Sequence, residues 1–170
     1  MLLDLINFEK VRKAASYSVL LLVTLLLQNT VFSRIAPMGV RALFVPLFVV
    51  GVAIFEGSMW GGVFGLVTGF FLDMDMGYTV FFVVLLPAVG YLAGILAEHF
   101  INRRFFSFFF LSAAVLVITA LLQMFKPLFI LGSDLFPLLL TGLWQTLWSL
   151  PFTIPLYFPC RAIARRFQKG

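Results

Sequence analysis

Six apolar segments, at roughly 14–33, 42–55, 59–72, 78–97, 105–125 and 135–159, dominate this chain. The first and the last three are long enough for a bilayer, which takes about 20 helical residues. Of 170 residues 62% are apolar and 11% charged, with 22 Phe. A soluble domain carries about 25% charge. A soluble fold of this size has no interior large enough for so much apolar surface, since even ~150 residues bury only about 70% of what the unfolded chain exposes. The reading is an all-α integral membrane protein in a single membrane domain, residues 1–170.

The second and third segments are short, about 14 residues or about 21 Å of helix each. Fusing them into one span would place Glu56 at the bilayer centre, which costs several kcal/mol. Six spans with the N-terminus inside put Lys10, Arg12, Lys13, Arg103, Arg104, Arg161, Arg165, Arg166 and Lys169 in the cytoplasm. Only Arg34, Arg41 and Lys126 then lie outside, as the positive-inside rule requires. Five spans would separate the two basic termini, so both termini are expected to be cytoplasmic. The first apolar run is as long as a full span and follows a mixed-charge flank with Asp4 and Glu9, so it reads as a retained signal-anchor. Short second and third spans belong beside shielding neighbours, thinned lipid or a water-accessible cavity. Pro46, Pro87, Pro137, Pro151 and Pro155 fall in apolar segments, and "LPFTIP" (150–155) predicts a bent or broken last helix.

Several function classes lack their parts. The net charge of +5 comes from span boundaries, so it reads as topology and not as a nucleic-acid surface. The lone Cys160 provides no disulfide framework. His99, beside Glu98, Arg103 and Arg104, is a single imidazole where zinc takes three or four ligands. Ser58 has no base nearby, and there is no P-loop, dinucleotide fingerprint or H-E-x-x-H. No catalytic residue, metal or cofactor is expected. "RRFFSFFF" (103–110) reads as an interfacial aromatic belt, and Arg161, Arg165, Arg166 and Lys169 as headgroup anchors.

The most informative local pattern is in "EGSMWGGVFGLVTGFFLDMDMGY" (56–78). Gly57, Gly61, Gly65 and Gly69 recur every four residues, and the next step is Asp73. Such spacing allows close helix approach in membranes. It serves either packing within the bundle or a face that lines a cavity or receives a partner helix. "GYLAGILAE" in the fourth span sets Gly90, Gly94 and Glu98 against Gly65, Gly69 and Asp73, which makes the third and fourth spans an expected packed pair. Asp73 and Asp75 lie in a turn closed by Gly77, where Asp commonly caps a helix. Gln28 and Asn29 near the end of the first span, Gln123 in the fifth and Gln145 in the sixth are intramembrane amides. Such amides bond across helices or line a cavity. Together with Asp73 and Asp75 they are candidates for an outward-facing polar pocket.

The chain resembles the rod shape-determining protein MreD family. The resemblance rests on "LLLQNTVF" (25–32), "GGVFGLVTGFFLDMDMG" (61–77) and "GYLAGILAE" (90–98), with length, span count and basic ends agreeing throughout. The matching residues are Gln28, Asn29, Gly65, Gly69, Asp73, Gly90, Tyr91 and Gly94. The resemblance implies a non-enzymatic subunit of the bacterial cell-elongation machinery in the inner membrane. It would pair with the single-span protein MreC and act with MreB filaments, RodA and the elongation penicillin-binding protein. MreC would be recognised through a groove lined by small residues. That family is similar in fold to the substrate-binding subunits of energy-coupling-factor transporters. A small-molecule-capturing transporter subunit is therefore the alternative, with Gln28, Asn29 and Asp73 as its positions to watch.

Overall fold

The computed structural model describes residues 8–32, 43–76, 81–99, 105–124, 128–129, 132 and 134–168. Asp4, Arg34, Arg41, Gly77, Arg103, Arg104, Lys126 and Lys169, used above, lie outside the described residues. Helix α1 is Phe8–Leu27 and continues through a π turn at Gln28–Phe32. Then come α2 (Val45–Glu56), α3 (Ser58–Met76), α4 (Phe81–His99) and α5 (Phe105–Gln123). Helix α6 (Leu135–Ser149) passes through a 3-10 turn at Leu150–Phe152 into α7 (Thr153–Gln168). No strand occurs among the described residues. Phe8–Thr30, α4 and α5 are long and apolar enough to cross a membrane, while α2 and Ser58–Met74 are shorter apolar helices.

Helix α2 is the centre of the molecule. Every residue from Val45 to Phe55 is buried. A helix that is apolar all round has no face to offer water, and here α1, α3, α4, α5 and α7 enclose it. Its 12 residues make about 18 Å of helix. Pro46 sits in its first turn, where no backbone donor is needed. Aromatic rings knit the surrounding helices together. Phe64 of α3 meets Tyr17 of α1 and Phe48 of α2 edge-on at 6.0 and 5.9 Å. Tyr157 of α7 packs against Phe55, Phe105 and Phe108 at 5.7, 5.3 and 5.4 Å.

Gly57 makes the turn from α2 into α3. Its φ of +96° and ψ of 179° lie in a region open to glycine alone. Its N–H donates to the Ala53 carbonyl and its carbonyl accepts from Gly61 N–H, both at 3.0 Å. Glu56 therefore ends a helix and does not interrupt a long one.

The bend read from "LPFTIP" takes the form of the 3-10 turn. Pro151 and Pro155 supply no backbone donors, so the ladder tightens there. Thr153 Oγ1 then donates to the Leu150 carbonyl at 2.7 Å. Helix α6 touches the rest mainly through α5 and buries only Gly142, Thr146 and Ser149.

Candidate functional site

The glycines of α3 and α4 face each other. Gly57 lies against Gly94, Gly61 against Gly90, Gly65 against Leu86 and Gly69 against Phe82, each step of four on α3 matched by four back along α4. A methyl group at Gly65 would come within 2.5 Å of the Leu86 carbonyl oxygen, and one at Gly61 within 2.6 Å of the Gly90 carbonyl oxygen. At Gly69, Gly90 and Gly94 it would also strike the opposite backbone. These are main-chain to main-chain contacts, and α3–α4 is the most extensive helix pair among the described residues. The groove expected to receive a partner helix is thus filled from within. Tyr91, by contrast, faces outward and is 49% exposed.

The acids complete the pair. Asp73, at the far end of α3, is buried and accepts from the Phe82 and Val83 N–H groups at 2.9 and 2.8 Å. Those are orphan donors of the first turn of α4, the kind an N-cap side chain normally satisfies. At the other end Glu98, closing α4, accepts from the Ser58 N–H that opens α3 at 2.9 Å. Each helix therefore ends on a carboxylate that caps its neighbour. Shifting by 25 positions carries Gly65 to Gly90, Gly69 to Gly94 and Asp73 to Glu98 (65 to 90, 69 to 94, 73 to 98). The same shift exchanges the contact Gly61–Gly90 with Gly65–Leu86, and Gly57–Gly94 with Gly69–Phe82. The pair is dyad-symmetric in sequence and in contact. The short likeness between the two spans was legible in the sequence, but reciprocal capping was not, because it joins residues on different helices.

Helix α1 clamps both ends of α2. Gln28 Oε1 accepts from Phe44 and Val45 N–H at 3.0 and 3.3 Å, meeting donors at the start of α2. Ser149 Oγ accepts from Leu43 N–H at 2.9 Å. At the other end Glu56 is held by an ion pair with Lys13 and by the Tyr17 hydroxyl, which donates at 2.8 Å. Tyr17 to Gln28 and Val45 to Glu56 are equal separations of 11 residues, about 16 Å on each helix. Sequence reading missed Lys13, Tyr17 and Ser149. Their only trace was Lys13 among the topology charges and Glu56 as an unwelcome acid.

The six candidates for one polar pocket divide among separate places. Gln28 and Asp73 are caps on different helices. Asn29 is exposed on the π turn. The side chain of Asp75 lies outside the described set. Gln123 and Gln145 do come together, lining a cleft of about 140 Å³ between α5 and α6 with Thr141, Gly142 and Met124. Gln123 Nε2 is buried there without a hydrogen-bond partner, as are Gln28 Nε2, Ser112 Oγ and Trp148 Nε1 in their own surroundings. His99 Nδ1 lies 3.1 Å from the Ile95 carbonyl. Among the described residues no group of three His, Cys, Asp or Glu side chains is placed to hold a metal.

The fold and these contacts define an all-helical membrane protein in which the side-chain hydrogen bonds between helices chiefly join helix ends. Comparison with protein-family models, with curated proteins and with solved structures finds no match.

Proposed function

We propose that the chain is a non-enzymatic six-span scaffold of the MreD type in the bacterial inner membrane. In this reading it binds MreC and supports the elongation synthases, directly or through MreC. The observation that carries it is the α3–α4 pair: backbone-locked, capped at both ends and apolar on its outer side. Val63, Leu66 and Phe70 on α3 and Val84, Tyr91 and Leu92 on α4 are all exposed. A rigid apolar face of this kind is a surface that a single transmembrane helix packs on through shape, because lipid offers no hydrophobic drive between helices. The small-residue motif then acts one step back, holding the docking face rigid and not contacting the partner.

The test is co-purification of tagged chain with MreC from native membranes. Leu66→Trp and Leu92→Trp are expected to lower MreC recovery, while Leu143→Trp on the remote, exposed α6 leaves it unchanged. Equal recovery from all three would sink the reading. A ligand-capturing role of the energy-coupling-factor kind draws on one observation, the unpartnered Gln123 amide in the α5–α6 cleft. It expects a small molecule, released by Gln123→Leu, to accompany the protein in native mass spectrometry.

A further inference from the structure

Helices α1 and α7 run antiparallel along one seam. At its basic end the Arg12 guanidinium lies over the Phe167 ring, 5.2 Å from the centroid. Stepping equally along both helices from that pair brings Leu20 opposite Pro159, Val23 opposite Leu156, Thr24 opposite Pro155 and Leu27 opposite Phe152. These residues, with Phe44, line an open cleft of about 210 Å³. The seam is thus closed at its end and parted further down. The α7 side presents two pyrrolidine rings there, where longer side chains would have reached α1 and filled the gap. The lining is apolar apart from Thr24, whose hydroxyl is satisfied by the Leu20 carbonyl at 2.8 Å.

Charge is arranged to match. Arg12 and Arg166 are exposed at the seam's closed end, and Lys10 and Arg165 are exposed in the same helical turns. Arg166 stands 7 residues beyond Pro159, two helical turns, and so shares its face. Lys13 is already paired with Glu56, which leaves Glu9 as the acid of that α1 turn. The lengths also agree. From Arg12 to Leu27 is about 22 Å at ~1.5 Å per residue, and half a bilayer including headgroups is about 20–22 Å.

We propose that this seam is a binding site for one anionic glycerophospholipid, its acyl chain in the α1–α7 cleft and its phosphate on Arg12 and Arg166. The cleft opens sideways to the hydrocarbon, so the chain enters from the bilayer without crossing water. The guanidinium groups sit at headgroup level, where basic side chains attract anionic lipid. This site is remote from the α3–α4 face and does not depend on the partner reading.

The full chain, purified from membranes and titrated with phosphatidylglycerol or phosphatidylcholine, is examined by native mass spectrometry. One phosphatidylglycerol is expected to be retained preferentially. Arg12→Gln with Arg166→Gln lowers that retention by about fivefold for each cation removed. Val23→Trp and Leu27→Trp fill the cleft and abolish the retained adduct; both positions are 46% exposed, so the fold tolerates them. Circular dichroism and thermal unfolding confirm that either variant is folded. Equal retention of phosphatidylcholine, or an unchanged phosphatidylglycerol adduct in a folded Trp variant, overturns the proposal. So does a photocrosslinker at Val23 that captures a protein helix in native membranes in place of lipid.

Discussion

Glycine at position 69 and glycine at position 62 look alike in the sequence and differ completely in what surrounds them. A methyl group at Gly69 would collide with the Phe82 carbonyl, which is backbone and cannot swing aside. At Gly62 the nearest atoms are the Tyr91 Cβ at 3.8 Å and the Pro87 carbonyl at 3.9 Å, ordinary contact distances. Gly69→Ala should therefore destabilise the protein by about 1–3 kcal/mol, the usual cost of overpacking. Gly62→Ala should be neutral or stabilising by up to ~1 kcal/mol, because alanine is the better helix former. Thermal unfolding in one detergent distinguishes them, and equal losses at both sites would refute backbone contact as the cause. The residue scale also shows what the buried carboxylate of Asp73 does. Both of its carboxylate oxygens already accept backbone N–H groups of α4.

At the scale of elements, α2 has no polar surface and depends on neighbours to finish its ends. Helix α1 does this with side chains one helix-length apart, Gln28 at the start and Lys13 with Tyr17 at Glu56. Glu56 is nearly buried, its side chain 5% exposed. Removing one partner of a buried ion pair leaves an uncompensated charge and typically costs about 3–5 kcal/mol. Lys13→Ala should fall toward the lower end of that range, since Lys13 itself keeps some solvent contact. Lys13→Met combined with Glu56→Gln should recover most of the loss, because no unpaired charge remains. Unfolding midpoints of wild type, single and double variants make the comparison. A double variant no more stable than Lys13→Ala would show that the pair's value lies in geometry and not in charge.

Across the whole molecule, burial is graded outward from α2. Helix α6 lies at the other extreme, with Phe136, Leu143 and Leu147 exposed by 78, 61 and 58%. Helices with few internal contacts open at lower free energy. Hydrogen exchange in lipid nanodiscs should therefore show the amides of α2 as the slowest and those of α6 before Gly142 among the fastest within helices. The reverse order would contradict α2 as the organising element. The gradient runs from an enclosed central helix, through the closely packed α3–α4 pair, to the peripheral α6.

Membrane residence, helix boundaries near Glu56 and the bend at Leu150–Phe152 were all legible in the sequence. They follow from local facts: apolar run length, a carboxylate too costly for mid-bilayer, and prolines without donors. The likeness of Gly65-Gly69-Asp73 to Gly90-Gly94-Glu98 was legible too, and with it the expectation that two helices pack together. Whether those glycines met a partner or each other was decided only by the tertiary structure. So was the dispersal of the polar candidates, with Gln28 and Asp73 serving as caps while Gln123 and Gln145 share a cleft. A sequence lists which groups need a hydrogen bond or a close neighbour. It does not say which helix supplies them, because antiparallel register is set by packing along the whole length of two elements.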